Sequence, residues 1–233
     1  MAAHRIVLYS PRGMPFTEKV GRGLRVKQLP FALVEPERPE DYRRFSPETG
    51  LLPVLEIDSV RIPDSAAILD YLDDHFPEPP LVSADVRVAR EQRRLERWID
   101  ETFPFYILRW VQRRVGAISL PLKAPGDGFP LGPMAQLGLI RPDGKLSPEV
   151  FDTSDGGPGP EFVRRLDDLE HMLGARRFFY ADELSRADLS VSGSLSVMYR
   201  DVYPGARALL AARKRLLEHV ERVLAATGGE DPV

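Results

Sequence analysis

Gly50-Leu51-Leu52-Pro53-Val54-Leu55-Glu56-Ile57-Asp58-Ser59-Val60-Arg61-Ile62-Pro63-Asp64-Ser65-Ala66-Ala67-Ile68 is the stretch on which the fold turns. Pro53 to Ile57 and Val60 to Ile62 are two short apolar runs joined by Asp58-Ser59, the pattern of a β-hairpin. Asp64-Ser65 stands just ahead of Ala67, Ile68, Tyr71, Leu72 and Phe76, which recur at helical spacing. A short side-chain oxygen there accepts a bond from an orphan N–H and starts a helix. Upstream, Ile6 to Tyr9 reads as a buried strand and Ser10-Pro11-Arg12-Gly13 as a turn. Pro15 then takes the first position of a helix with Phe16, Val20 and Leu24 on one face. Gly21 and Gly23 each cost that helix about 1 kcal/mol against alanine, so tertiary packing must hold it. Phe31 to Val34 is a second strand and Glu37 to Phe45 a weakly helical link. Residues 1–80 therefore predict the order β-α-β-α-β-β-α, closed by the proline-rich linker Phe76 to Leu81.

The remainder reads as helical, a second domain over 84–226. Residues 84–115 carry eight arginines against five acids, with Leu95, Trp98, Ile99, Thr102, Phe105 and Tyr106 at helical steps. Pro104 predicts a kink or break in that helix. Residues 116–160 hold eight prolines and nine glycines in 45 positions and show no periodicity, an insertion or an ordered cover over a cleft. Phe162 to Leu173 and Ser185 to Met198 are further helices, Pro204 opens a last amphipathic one, and the Gly228-to-Pro232 tail is expected to fray.

Composition narrows the function classes. The chain of 233 residues has no cysteine, so it carries no disulfide, thiolate nucleophile or cysteine-ligated metal of its own. Thirty-two basic against 35 acidic residues argue against a broad nucleic-acid binder. Five of those 32 are lysines, an arginine bias that reads as the codon usage of a GC-rich bacterial genome. The apolar run after Arg5 is too short for a signal peptide, and no run approaches the roughly 18 residues of a membrane span. A cytoplasmic protein is expected. His4, His75, His171 and His219 show no metal spacing and are expected at surface or capping positions.

Several segments, in this order along the chain, carry a resemblance. Tyr9 to Phe16 resembles the first strand, active-site loop and helix start of the cytosolic glutathione transferases. Gly50 to Leu55 resembles the segment carrying their cis-proline, Asp64 to Leu72 their glutathione-binding turn, and Ser185 to Asp188 the capping box of their helical domain. The fold class implied is an α/β thioredoxin-like N-terminal domain followed by an all-α C-terminal domain. The resemblance also implies glutathione as cosubstrate, no metal, a small apolar electrophile as second substrate, and a homodimer. Residues 116–160 have no counterpart.

The chemistry of the residues fits such a site. A carboxylate at a helix start meets free N–H groups and the positive end of the dipole. Ser65 adds a hydroxyl and Asp64 suits an ammonium, so the pair matches the zwitterion at the γ-glutamyl end of glutathione. By the resemblance, Leu52, ahead of cis-Pro53, bonds the cysteinyl residue through its main chain. Leu51, where the family often has lysine, implies a looser hold on the glycyl end. Met14 occupies the position that holds cysteine in omega- and beta-class relatives and serine in several others. It can neither form a mixed disulfide nor donate to a thiolate. Ser10 and Arg12 are the leading replacements as catalytic groups, with Tyr9, Thr17 and the N–H groups of the helix start also in reach. The alternative reading is a non-catalytic interaction protein of the stringent starvation protein A type. Ser185 and Asp188 form a reciprocal cap with no catalytic part.

Overall fold

A computed structural model describes residues 4–114, 158–202, 205–229 and Val233. The sheet holds four strands in the order β2-β1-β3-β4, with β1 Ile6–Tyr9, β2 Ala32–Val34, β3 Val54–Ile57 and β4 Val60–Pro63. β1 runs parallel to β2 and antiparallel to β3, and β3 and β4 form the expected hairpin. Helix α1 (Pro15–Val26) makes the first crossover, α2 (Pro39–Phe45) follows β2, and α3 (Ser65–His75) follows the hairpin. Ile6, Leu8, Leu55 and Ile57 face α1 and α3 and form one core with Leu24, Ile68, Leu69 and Leu72. This is the predicted thioredoxin-like arrangement. The described helices of the second part are α4 (Val86–Arg114), α5 (Pro160–Leu173), α6 (Arg186–Tyr199), α7 (Ala206–Ala211) and α8 (Lys214–Ala226). The insertion expected over 116–160 lies outside the described residues up to 157.

Three expectations are corrected. First, the break, one of the two alternatives at Pro104, does not occur, and α4 runs continuously from Val86 to Arg114. A mid-helix proline costs about 3 kcal/mol, but here its neighbours Phe103, Phe105 and Tyr106 are all buried, and Phe103 and Tyr106 pack on Phe162 of α5. Second, the last helical segment is two helices broken at Arg213. The Arg213 guanidinium takes the Leu209 and Val163 carbonyls and Asp167, bonds that replace the lost helical continuity. Third, the tail is tied down where it is described. Gly229 donates to Leu224 and accepts from Arg22, and Val233 is 2 % exposed.

Helix α1 shows how the two parts join. Its sequence reads as amphipathic, yet Thr17 through Leu24 are all buried. The apolar stripe faces the sheet, while the polar stripe faces the second domain and pairs internally. Arg22 and Glu18, both fully buried, bond at 2.8 Å, and Arg22 also reaches Thr227. The two glycines are explained by close neighbours. A Cβ on Gly21 would fall 2.0 Å from Val233, and one on Gly23 would fall 2.7 Å from Leu69. Across the joint, α6 is buried along its whole length and meets α1 at Gly193. A Cβ there would stand 2.6 Å from the Pro15 carbonyl, so the helices approach at backbone distance.

Gly193→Ala should therefore destabilise the fold by about 1–3 kcal/mol, the cost of overpacking. This holds even though alanine is the better helix former. A lowered denaturant midpoint with an unchanged slope is the expected result. An unchanged midpoint would show that α1 and α6 can part without cost.

Candidate functional site

The strand register assembles the site. Tyr9 pairs with Val54 and Val54 with Pro63, so β1 ends, β3 starts and β4 ends in one row across the sheet. One residue beyond that row stand Ser10, Pro53 and Asp64, each at the mouth of its own loop. Helix α1 starts beside them, and α3 starts at Ser65. Leu52, Pro53, Asp64 and Ser65, predicted from separate segments, are thus brought to one edge of the sheet.

The Leu52–Pro53 peptide bond is cis, as the resemblance implied. Leu52 precedes β3 at half exposure, with its main chain on the site side of the last ladder pair. Asp64 has φ 72° and ψ 128°, a conformation that non-glycine residues rarely take and that costs of order 1–3 kcal/mol. Its Oδ1 accepts from the N–H groups of Ala66 and Ala67 at 2.9 and 3.0 Å. That cap leaves Oδ2 for an ammonium. Ser65 is buried, and its Oγ accepts from the Lys19 ammonium at 3.2 Å. A hydroxyl whose oxygen already accepts has its proton directed elsewhere, which suits a donor to a carboxylate. The two residues expected to meet an amino-acid zwitterion thus stand side by side at the start of α3.

The sulfur side of the site does not fit in the same way. Ser10 is 2 % exposed and its Oγ lies 2.7 Å from Thr17 Oγ1. Thr17 donates its proton to the Pro11 carbonyl at 2.6 Å. Ser10 must then donate to Thr17, and neither hydroxyl has a proton left for a thiolate. The Arg12 main chain and guanidinium both bond Glu35, at 2.9 and 3.2 Å. Tyr9 packs at a tilt against Phe45, and its hydroxyl lies 3.4 Å from Glu56. Met14 is the N-cap of α1, 41 % exposed, and no side chain caps the first turn. Among the described residues, the donors left at the sulfur side are backbone N–H groups of α1. Ser10 serves the loop's shape, and Arg12 is held by its acid.

Four residues around the site were not singled out from sequence. Lys19, 1 % exposed, bonds Glu96 at 2.7 Å and Asp100 at 2.5 Å besides Ser65. Arg186, inside the predicted capping box, pairs with Glu96 and Asp70 and bonds the Ala66 carbonyl of α3's first turn at 3.0 Å. The only available signal was a lysine beside the apolar stripe of α1. Nothing in the spacing of Glu96 and Asp100 separates them from solvated acids of the same charged helix. The histidine expectation is corrected at His219, which is fully buried and bonds Asp188 at 2.8 Å. Asp188 also accepts from Phe179 N and from both the N–H and the hydroxyl of Ser185. Among the described residues no group of three or more His, Asp or Glu could hold a metal ion, and no helix is long and apolar enough to cross a membrane.

Comparison with known proteins fits this geometry. Residues 8–80 match the family model described as glutathione S-transferase, N-terminal domain. FtsZ-localized protein A of Caulobacter vibrioides is 33 % identical over 192 residues, covering 79 % of this chain and 73 % of that one. The chain belongs to the glutathione S-transferase family. Glutathione S-transferase Z2 of Arabidopsis thaliana is 38 % identical over 65 residues, 28 % of this chain and only 29 % of the plant protein. Rice GST1, solved in complex with glutathione, superposes with a TM-score of 0.64 at 21 % identity, covering 99 % of this chain and 93 % of that one.

Burial pushes Asp100 up to about 6; Lys19 opposes the shift and Glu96 adds to it. A carboxyl raised in the folded state binds a proton there before it does in the unfolded chain. Between the ordinary carboxyl value near 3.9 and about 6, this group's contribution to stability is therefore lost as pH rises. Asp100→Asn removes that contribution. Relative to the variant, the parent should lose stability between pH 4 and 6, by at most about 1.4 kcal/mol per unit. Parallel stability curves for the two proteins would show that Asp100 ionises normally.

Proposed function

We propose that this chain binds glutathione at the sheet edge and adds its thiol to a small electrophile slowly, on backbone donors alone. One observation carries the binding half: Asp64 and Ser65 offer an unengaged carboxylate oxygen and a directed hydroxyl at a helix start, matched to a zwitterion. The γ-glutamyl ammonium meets Asp64 and its carboxylate meets Ser65. The cysteinyl main chain then pairs with Leu52 as it would with an edge strand. The complex of rice GST1 with glutathione on the same fold supports this reading. As cosubstrate, glutathione supplies the nucleophile that a cysteine-free chain lacks. The start of α1 favours the thiolate through its N–H groups and dipole. Bringing the two reactants together supplies the rest of the rate. The apolar pocket for the electrophile, expected from the helical domain and the 116–160 insertion, and the homodimer belong to the same proposal.

A second reading, an interaction protein that keeps the fold, is favoured by a different observation. The relative matched over most of the chain is an FtsZ-localized protein. On that reading the partner would be a cytoskeletal polymer of the FtsZ kind.

Calorimetry with glutathione separates the two. Binding should be measurable at millimolar concentration. Asp64→Asn should weaken it about ten- to a hundredfold, the worth of one charged hydrogen bond. Asparagine keeps the helix cap and tolerates the positive φ, so the loss isolates the charge. Conjugation of chlorodinitrobenzene should run about 10²–10³-fold below that of a relative with a side-chain donor. No heat with glutathione, together with cosedimentation with FtsZ polymers, would replace the first reading with the second.

A further inference from the structure

We infer that Val233 is a positioning residue for the sheet-edge site: seated against Gly21 of α1, it fixes Gly13 and so holds the loop beside the helix start in its ligand-binding shape. The effect on ligand rests on the glutathione reading of the site; the seat itself does not.

A missing side chain cuts the seat into α1. A Cβ on Gly21 would fall 2.0 Å from Val233 Cγ1 and 2.9 Å from its Cβ, so the valine occupies the space that any other residue at position 21 would fill. Glycine inside a helix costs stability, and burial of an apolar side chain offsets that cost. Val233 is 2 % exposed and shares the core of Val20, Leu24 and Val223. Two main-chain bonds orient it. Its N–H donates to Glu18 Oε1 at 3.2 Å, and its carbonyl accepts from the Gly13 N–H, also at 3.2 Å. Glu18 is itself fully buried and held by Arg22 at 2.8 Å and Arg200 at 3.1 Å, so the acceptor is fixed in place.

Gly13 is where the seat meets the site. At φ 70° it takes a conformation that glycine enters and leaves at little cost, so its neighbours must hold it. The peptide planes on its two sides are clamped separately. Val233 takes the N–H of the Arg12–Gly13 peptide, and Arg200 donates to the carbonyl of the Gly13–Met14 peptide at 3.0 Å. With Val233 unseated, the first plane turns freely, and the loop becomes an ensemble in which one member has the shape that borders the start of α1. Apparent affinity then falls with the fraction of chains that keep that member. By linkage, a ligand bound at the sheet edge stabilises the seat in turn.

Three full-chain variants test this: Val233→Asp, Gly21→Ala, and Gly21→Ala combined with Val233→Gly. The first puts a second carboxylate beside buried Glu18 and the second fills the seat, so each unseats residue 233 by a different route. Amide hydrogen exchange reads the seat with no ligand present. In both, the Gly13 N–H should speed up at least about tenfold more than the N–H groups of Leu69 and Leu72, the worth of burying one valine side chain. Calorimetry with glutathione then reads the consequence, about three- to tenfold weaker binding in both. In the combined variant the alanine methyl takes the space the valine leaves, so Gly13 exchange and glutathione affinity should return most of the way to the parent values. Gly13 exchange that only keeps pace with Leu69 and Leu72 in both single variants overturns the seat. Faster exchange with unchanged glutathione affinity overturns its role at the site. If the parent binds no glutathione, the glutathione reading fails and the positioning role with it, while exchange at Gly13 still decides the seat.

Discussion

A buried ammonium organises this molecule. Lys19 projects from α1 into the seam between the two domains, where Glu96, Asp100 and Ser65 surround it. An isolated ammonium there would be prohibitively costly, so the acids of α4 must stay in place for the domain joint to close. Arg186 repeats the logic one step away, holding Glu96 with one edge and the first turn of α3 with the other. The turn at Asp64 and Ser65 is consequently braced from beneath by the helical domain. Such a seam confers less stability than an apolar one of equal area, and its value lies in register. Ion pairs and backbone carbonyls have one good alignment, whereas leucines tolerate sliding.

The second buried network, Glu18 with Arg22 and Arg200, works on the other side of α1. Arg200 reaches both Glu18 and the Gly13 carbonyl, while Val233 donates to Glu18 and accepts from Gly13 N. The loop from Ser10 to Met14 is therefore fixed at Gly13 by α6 and Val233, and at Pro11 by Thr17. Its shape is held even though none of its side chains is aimed at a ligand by these bonds.

Hairpin, crossover and helix starts were legible because each has a local cause. Asp58-Ser59 makes a turn, Pro15 and Asp64 start helices, and strand runs are bounded by polar residues. The register that lines up Ser10, Pro53 and Asp64 follows from those elements once the sheet order is given by the resemblance. What stayed hidden was set by partners far along the chain. Lys19 and Asp100 are 81 positions apart and Glu18 and Val233 are 215, so no window of sequence marks them as buried. The burial of the polar side of α1 stayed hidden for the same reason. Its polar stripe looks like a solvated face, and only the arrival of α6 at Gly193 shows that it is an interior one. Pro104 misled in the opposite direction, since a local penalty was outweighed by aromatic packing that only tertiary structure supplies.

The two halves of the candidate site also answer a question about what Met14 does. Had the zwitterion side decayed, with Asp64 relaxed into an ordinary helix start, an apolar residue at position 14 would read as simple loss of function. Instead Asp64 keeps a costly positive φ, and its helix cap uses only one of its two carboxylate oxygens. Strain of that kind persists where the surroundings enforce it, and here the enforcement comes from the Lys19 and Arg186 seam on which α3 begins. On the proposed reading, that conformational free energy serves the Asp64 end of the site, while Met14 and Leu51 stand exposed. Any chemistry at sulfur then falls to the backbone N–H groups at the start of α1, because Met14 has no proton to donate.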